Sequence, residues 1–254
     1  SWSTSTVDVN GIFASIAIDG VGNPHIAYRY DDGSSVYTLK YAKWNGISWS
    51  TYTISLAGDA GRYPSIAIDA SGKPHISYHI SPLNDDLGYA RWDGLSWSTQ
   101  TVDNTGNVGE YTSIALDGAG NPHISYFDST NFQLRYASWT GTAWNRGIVD
   151  SGVKVGSYTA IALDGSGKPH ISYYDITNGD LKYARWDGVQ WSTQTIDSYG
   201  DVGSHTSIVM GGNGNVHIVY RDETNGDLKA AEWENAGFEG AMGGNARGKA
   251  QAPY

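Results

Sequence analysis

Cysteine is absent from the 254-residue chain, which removes disulfides and thiolate metal sites and leaves the redox compartment open. Charge is sparse, at 17% of residues, and basic charge sparser still: 16 Lys and Arg stand against 26 Asp and Glu, for a net charge of -10. Nucleic-acid affinity rests largely on neutralising phosphates with Lys and Arg, so this balance argues against a nucleic-acid partner. No apolar run is long enough to span a bilayer, and membrane insertion is not expected. Asn-x-Ser/Thr is missing as well, so N-linked sugars are not expected.

What abounds is glycine, tyrosine and tryptophan, with 33, 18 and 10 residues, arranged in a unit that occurs five times. A Pro-His step, Val-His in the last copy, recurs at His25, His75, His123, His170 and His217, at spacings of 50, 48, 47 and 47 residues. Around it the landmarks keep one order: Gly-x-aromatic, Ser-Ile-Ala-Ile/Leu-Asp, a glycine turn, Pro-His-Ile-Ser-Tyr, Leu-Lys-Tyr-Ala-x-Trp, Asp-Gly-x-x-Trp-Ser-Thr. A unit of this length made of four short alternating runs is one four-stranded sheet. Five of them predict an all-β, five-bladed β-propeller over 1–235, as one domain.

The count also predicts how the ring closes. Four copies carry a Trp pair five residues apart (Trp44/Trp49, Trp92/Trp97, Trp139/Trp144, Trp186/Trp191), each followed by a fourth strand, whereas the fifth copy stops after Trp233. The missing strand has its counterpart at the other end, where Trp2-Ser-Thr-Ser-Thr-Val-Asp8 matches Trp97 to Asp103 at six of seven positions. The N-terminal strand is therefore expected to complete the last blade, which removes the open sheet edges of a linear array.

Chain order sorts the loops between two faces. Turns joining first to second and third to fourth strands repeat Asp-Gly-x-Gly-x-Pro and Trp-Asp-Gly almost unchanged. The opposite face differs in every copy, with Tyr30, His79, Phe127, Tyr174 and Arg221 among the residues it presents. Residues that packing does not dictate are free to bind, so this variable face is the expected ligand face. The aromatic residues before each innermost strand, Phe13, Tyr63, Tyr111 and Tyr158, with His205 in the fifth copy, fall near its central channel.

Three repeated residue types read as structural. The five histidines occupy one place per blade on a second strand, too far round a ring to share an ion whose ligands must lie about 2.0 to 2.3 Å from it. Each imidazole is expected to hydrogen-bond within its own blade, and no metal or cofactor is called for. Asp19, Asp69, Asp117 and Asp164 are equivalent turn residues, not the asymmetric carboxylate pair of a glycosidase, and no enzyme activity is expected. The Trp pairs flank a hairpin, where cross-strand aromatic pairs stabilise sheets by about 0.2 to 1 kcal/mol.

Residues 236–254 leave the repeat and form a Gly-rich arm, with Phe238, Met242, Arg247, Lys249 and Tyr254 spaced along it. Such a segment buries too little apolar surface to order alone. Docking on a neighbouring copy, with Phe238 and Tyr254 as anchors and Arg247 and Lys249 meeting the acidic propeller, would make the protein a self-assembling module of filaments or rings. The opening at residue 1, almost inside a strand, suits a secreted, extracellular protein from which a leader has been removed.

Across 1–235 the Asp-Gly-x-Gly-x-Pro-His-Ile-Ser-Tyr and Trp-Asp-Gly-x-x-Trp motifs resemble those of secreted, sialidase-like propeller repeats of microbial proteins. Repeat length and blade count are similar to those of the five-bladed lectin family of tachylectin-2. That resemblance implies sugar sites between blades, one per blade, and a multivalent carbohydrate-binding lectin is the alternative function. The motif departs from the Ser-x-Asp-x-Gly-x-x-Trp box of sialidases and offers no arginine triad, so sialidase activity is not implied.

Overall fold

The computed structural model describes residues 2–34, 37–55, 59–81 and 85–234. The C-terminal arm with Phe238, Met242, Arg247, Lys249 and Tyr254 lies outside the described residues. Within them the chain is all strand and turn. The first sheet contains β1 (Gly11–Ile18), β2 (Pro24–Asp31), β3 (Tyr37–Trp44) and β4 (Trp49–Ser55). The second holds β5 (Asp59–Ile68), β6 (Pro74–Ser81), β7 (Asp86–Trp92) and β8 (Trp97–Asp103). Next come β9 (Val108–Leu116), β10 (Pro122–Asp128), β11 (Gln133–Trp139) and β12 (Trp144–Asp150), then β13 (Val155–Leu163), β14 (Pro169–Asp175), β15 (Asp180–Trp186) and β16 (Trp191–Asp197). The fifth sheet has β17 (Val202–Met210), β18 (Val216–Asp222) and β19 (Asp227–Trp233). Each sheet is an antiparallel meander in chain order, so every blade matches one copy of the repeat.

The turn chemistry explains the meander. Asp117 Oδ1 accepts the backbone N–H groups of Ala119 and Asn121 at 2.9 and 2.8 Å, and Gly120 takes φ +82°, which glycine adopts without penalty. The same aspartate bonds recur at Asp19, Asp69 and Asp164. At the far end the Trp pairs are direct cross-strand partners, with ring centroids 5.5 Å apart for Trp44/Trp49 and 5.7 Å for Trp92/Trp97.

Apolar burial lies between blades. Four clusters fill the four gaps between consecutive sheets; the first joins Leu39 and Tyr41 to Ile66 and Ile76, and the last joins Leu181 to Val202, Ile208 and Ile218. Each gap is built on a close approach of backbone to side chain. Gly156 has φ +107°, and a Cβ placed there would stand 2.6 Å from Leu134 Cα, so only glycine lets Leu134 seat fully buried. Gly61, Gly109 and Gly203 meet Leu39, Leu87 and Leu181 in the same way. A carboxylate from the end of one blade's outer strand locks onto the next blade. Asp103 accepts from Tyr126 Oη at 2.7 Å and Arg135 at 2.9 Å, and Asp150 from Tyr173 Oη at 2.7 Å and Lys182 at 2.8 Å.

The expected closure is not what the structure shows. Among the described residues the fifth sheet has three strands, and Trp2–Asp8 forms no strand and does not pair with β19, so the N-terminal segment does not complete the last blade. The segment lies instead against the first blade. Asp8 accepts from Tyr28 Oη at 2.7 Å and Lys40 at 3.0 Å, and Trp49 Nε1 donates to Ser5 Oγ at 3.2 Å, which fixes the segment on the first blade. The innermost strands pack in series, β1 on β5, β5 on β9, β9 on β13 and β13 on β17, with no comparable packing of β17 on β1 among the described residues.

Candidate functional site

Pro-His at the head of each second strand puts the imidazole inside its own blade. Tyr41 Oη meets His25 Nδ1 at 2.6 Å, and Tyr89 Oη meets His75 Nδ1 at 2.6 Å; Tyr136 and Tyr183 hold His123 and His170 likewise. With the hydroxyl donating, Nε2–H faces the turn aspartate, 3.3 Å from Asp19 Oδ2 and 3.6 Å from Asp69 Oδ2. Burial holds all four imidazoles below their ordinary pKa, against the raising effect of these aspartates. Burial likewise pushes the Tyr136 and Tyr183 hydroxyls up to about 12. The fifth blade has no such triad: Gly211 and Ala230 replace Asp and Tyr, and His217 stands 3.4 Å from Glu232.

Two clefts open between blades above these triads. The first, about 600 Å³, lies between the second and third sheets, lined by His75, Tyr89, Arg91 and Trp92 on one side and Gly120, Asn121, Pro122 and Trp139 on the other. The second, about 550 Å³, repeats it one blade on, with His123, Tyr136 and Arg146 facing Lys168, Pro169 and Trp186. Corresponding residues of successive copies thus recur in both, which makes the cleft a product of the repeat itself. Its aromatic lining is buttressed by the next blade's indole set edge-on against the tyrosine, Tyr89 with Trp144 and Tyr136 with Trp191, each at 5.2 Å. Indoles beside Asn and Arg side chains in both clefts suit a small ligand with one apolar face and several hydroxyls.

The clefts sit on the repeating face, at the Gly-x-Pro and Trp-x-Gly turns, not on the variable face. There the structure gathers Phe13, Tyr63, Tyr111, Tyr158 and His205 into an arc, with successive ring centroids 5.9, 4.6, 4.6 and 4.3 Å apart. His79, Phe127 and Tyr174 form a second row, 6.4, 6.3 and 6.2 Å from Tyr63, Tyr111 and Tyr158. All five arc residues have positive φ, from 48° to 52°, a left-handed backbone that costs about 1–3 kcal/mol at a non-glycine residue. The strain falls at the bulges of the innermost strands, where it turns each ring onto its neighbour. Tyr30 and Arg221 do not join the arc's rings. Lys40 Nζ lies 3.4 Å above the Tyr30 ring, and Arg221 Nε pairs with Glu223 at 2.8 Å.

Sequence reasoning passed over the cleft residues because it took variation between copies as the mark of a site. The available signal was the pairing on one face of two constant turns, whose Trp and Pro belong to one blade and whose His and Tyr belong to the blade before.

No family model and no curated protein matches the chain. Solved structures do. A fungal lectin of Aleuria aurantia, described as a six-bladed β-propeller with a novel fucose recognition mode, aligns at TM-score 0.55 and 16% identity over 88% of this chain and 74% of its own. The BP39L lectin of Burkholderia pseudomallei aligns at 0.69 and 15% identity over 89% and 67%. A polysaccharide lyase of family PL25, an ulvan lyase, aligns at 0.59 and 14% identity over 92% and 68%. At these identities the likeness defines the fold alone, a β-propeller. It reaches neither the sialidase-like nor the tachylectin-2 family specifically.

Proposed function

We propose that the protein is a non-catalytic, multivalent carbohydrate-binding propeller that takes one sugar residue in each cleft between blades. The observation that carries this reading is the recurrence of one lining, His, Tyr, a Gly-x-Pro turn and Trp, in two consecutive gaps. Sugars present an apolar C–H face and a fan of hydroxyls, which the indoles and the neighbouring Asn, Arg and Asp groups complement. Weak sites repeated on a rigid disc gain strength through multivalency on a glycan surface, by about 10²–10⁴. The lectins with this fold, one of them described by its fucose recognition, support this reading over a purely structural module.

The lyase neighbour raises catalysis as a second possibility, and the geometry disfavours it. His75 and Tyr89 are buried and engaged with each other, and the same pair recurs in four blades. A scaffold repeats in this way; an asymmetric acid–base site does not. A glycan array probed with the full chain, followed by calorimetry on the best glycan, tests the proposal. At least two sites per chain are expected, and Trp139→Ala with Trp186→Ala should reduce retention at least tenfold. Absence of glycan binding, or binding indifferent to both substitutions, overturns it.

A further inference from the structure

The two ends of the blade series expose the two halves of the interface that each internal gap closes. Leu39, Leu87, Leu134 and Leu181 are fully buried under the glycine of the next blade, yet their equivalent Leu228 on β19 is 82% exposed. The glycine that would receive it has its counterpart in Gly11 at the start of β1. Ile66, Ile114, Ile161 and Ile208 are 6–7% exposed, against 64% for their equivalent Ile16. In the first three gaps the backbone N–H of that isoleucine donates to a serine Oγ of the preceding blade, as Ile114 does to Ser65 at 3.1 Å. Ser207 occupies that serine's place in the fifth blade. The ends are also matched where the repeat changes. The last three gaps contain a Thr–Ser hydrogen bond, such as Thr112 to Ser77 at 2.9 Å; at the open ends both positions have become apolar, Ala14 on one and Val219 on the other.

We propose that the fifth blade of one copy docks on the first blade of a second copy, head to tail, and takes that copy's Trp2–Asp8 as its missing fourth strand. Asp8 already stands on Tyr28 and Lys40 as Asp103 and Asp150 stand on the blades that follow them. The segment therefore lies at the site of a preceding blade's outer strand before that blade arrives. Strand addition would satisfy the open edge of β19 and bury Leu228 and Ile16 together. A second copy is favoured over the chain's own first blade because β17 and β1 do not pack on each other as consecutive innermost strands do among the described residues, and bringing them together would have to shift the four close-packed gaps. Such an interface is heterologous, and yields a closed ring or an open filament.

The test uses full-length protein and two variants, Leu228→Asp and Ile16→Asp, each spoiling one end, with unchanged circular dichroism verifying the fold. Light scattering across a concentration series should show the wild type rising to at least twice the monomer mass, and each variant alone remaining monomeric. An equimolar mixture of the two retains one good pair of ends and should recover a dimer and stop there. Wild-type protein that stays monomeric at all concentrations, whether its ends meet in one chain or residues 235–254 cover them, overturns the proposal. So does a mixture that remains monomeric while the wild type associates.

Discussion

Ile16 and Ile114 sit at the same place in the same Ser-Ile-Ala motif, and the first is mostly exposed while the second is buried. Internal gaps and open ends thus compare one sequence in two settings. Burial in this protein is a property of neighbouring blades and not of any blade by itself, which is the energetics of a quasi-one-dimensional array, where stability is a sum of unit and nearest-neighbour terms. A blade removed from its neighbour keeps its meander and turn bonds but loses its apolar partner.

The sharpest break of that comparison is at the glycines. Gly156→Ala forces a Cβ to within 2.6 Å of Leu134 Cα at φ +107°, and chemical denaturation should show a loss of at least about 3 kcal/mol, as overpacking and left-handed strain combine. Gly11→Ala, where the nearest atom is a Tyr28 ring carbon at 3.1 Å, should cost under about 1 kcal/mol. Leu181→Ala in an internal gap should lose about 2–5 kcal/mol by cavity formation. Leu228→Ala in monomeric protein should change stability by less than about 0.5 kcal/mol. Equal losses at Leu181 and Leu228 would mean that the fifth blade is enclosed.

Acid should act on the first four blades through the histidines. His25, His75, His123 and His170 are held below their ordinary pKa of 6.5, so the unfolded chain binds protons more readily than the folded one. Stability is full above about pH 6.5 and falls as pH drops from there toward the folded-state values. Asp103, Asp150 and Asp197 behave otherwise. Burial raises them, but the tyrosine hydroxyls and Arg or Lys of the next blade outweigh it and hold them below 3.8. Their contribution is present above about pH 4 and is lost only as pH falls through the lowered values. Thermal melts should decline in two stages, beginning near 6.5 and again below 4; a flat profile from 7.5 to 5 would contradict the buried histidine assignment.

Strands and turns were legible because each carries its own short-range code: Asp-Gly-x-Gly-x-Pro closes one hairpin and the Trp pair the other, and both appear as expected. The Gly-x-aromatic step marked each copy, but that its glycine seats on the preceding blade's leucine was visible only in the structure. The closure by Trp2–Asp8 was not, although the six-of-seven match to Trp97–Asp103 is real. A motif match states what a segment can pair with, and the gap geometry decides whether the partner is within reach. The resemblance implied sites between blades, but their lining residues were passed over for a related reason. Their walls come from two copies, so no single repeat displays the site, and constancy in Trp139 and Pro122 looked like packing alone.

The smallest expected effect lies at Ala230, where the other blades have Tyr41, Tyr89, Tyr136 and Tyr183. All four tyrosines hold a histidine, and Tyr41, Tyr89 and Tyr136 also support the next blade's indole, as Tyr41 does Trp97 at 5.1 Å. The fifth blade offers neither partner in place, since His217 is 41% exposed and no further sheet packs on it among the described residues. Ala230→Tyr should therefore shift monomer stability by no more than about 0.5 kcal/mol, the scale of a surface substitution. A gain above about 2 kcal/mol in dilute, monomeric protein would place an aromatic partner over that position within one chain. The ends would then meet in cis, and the contrast between internal gaps and open ends would disappear.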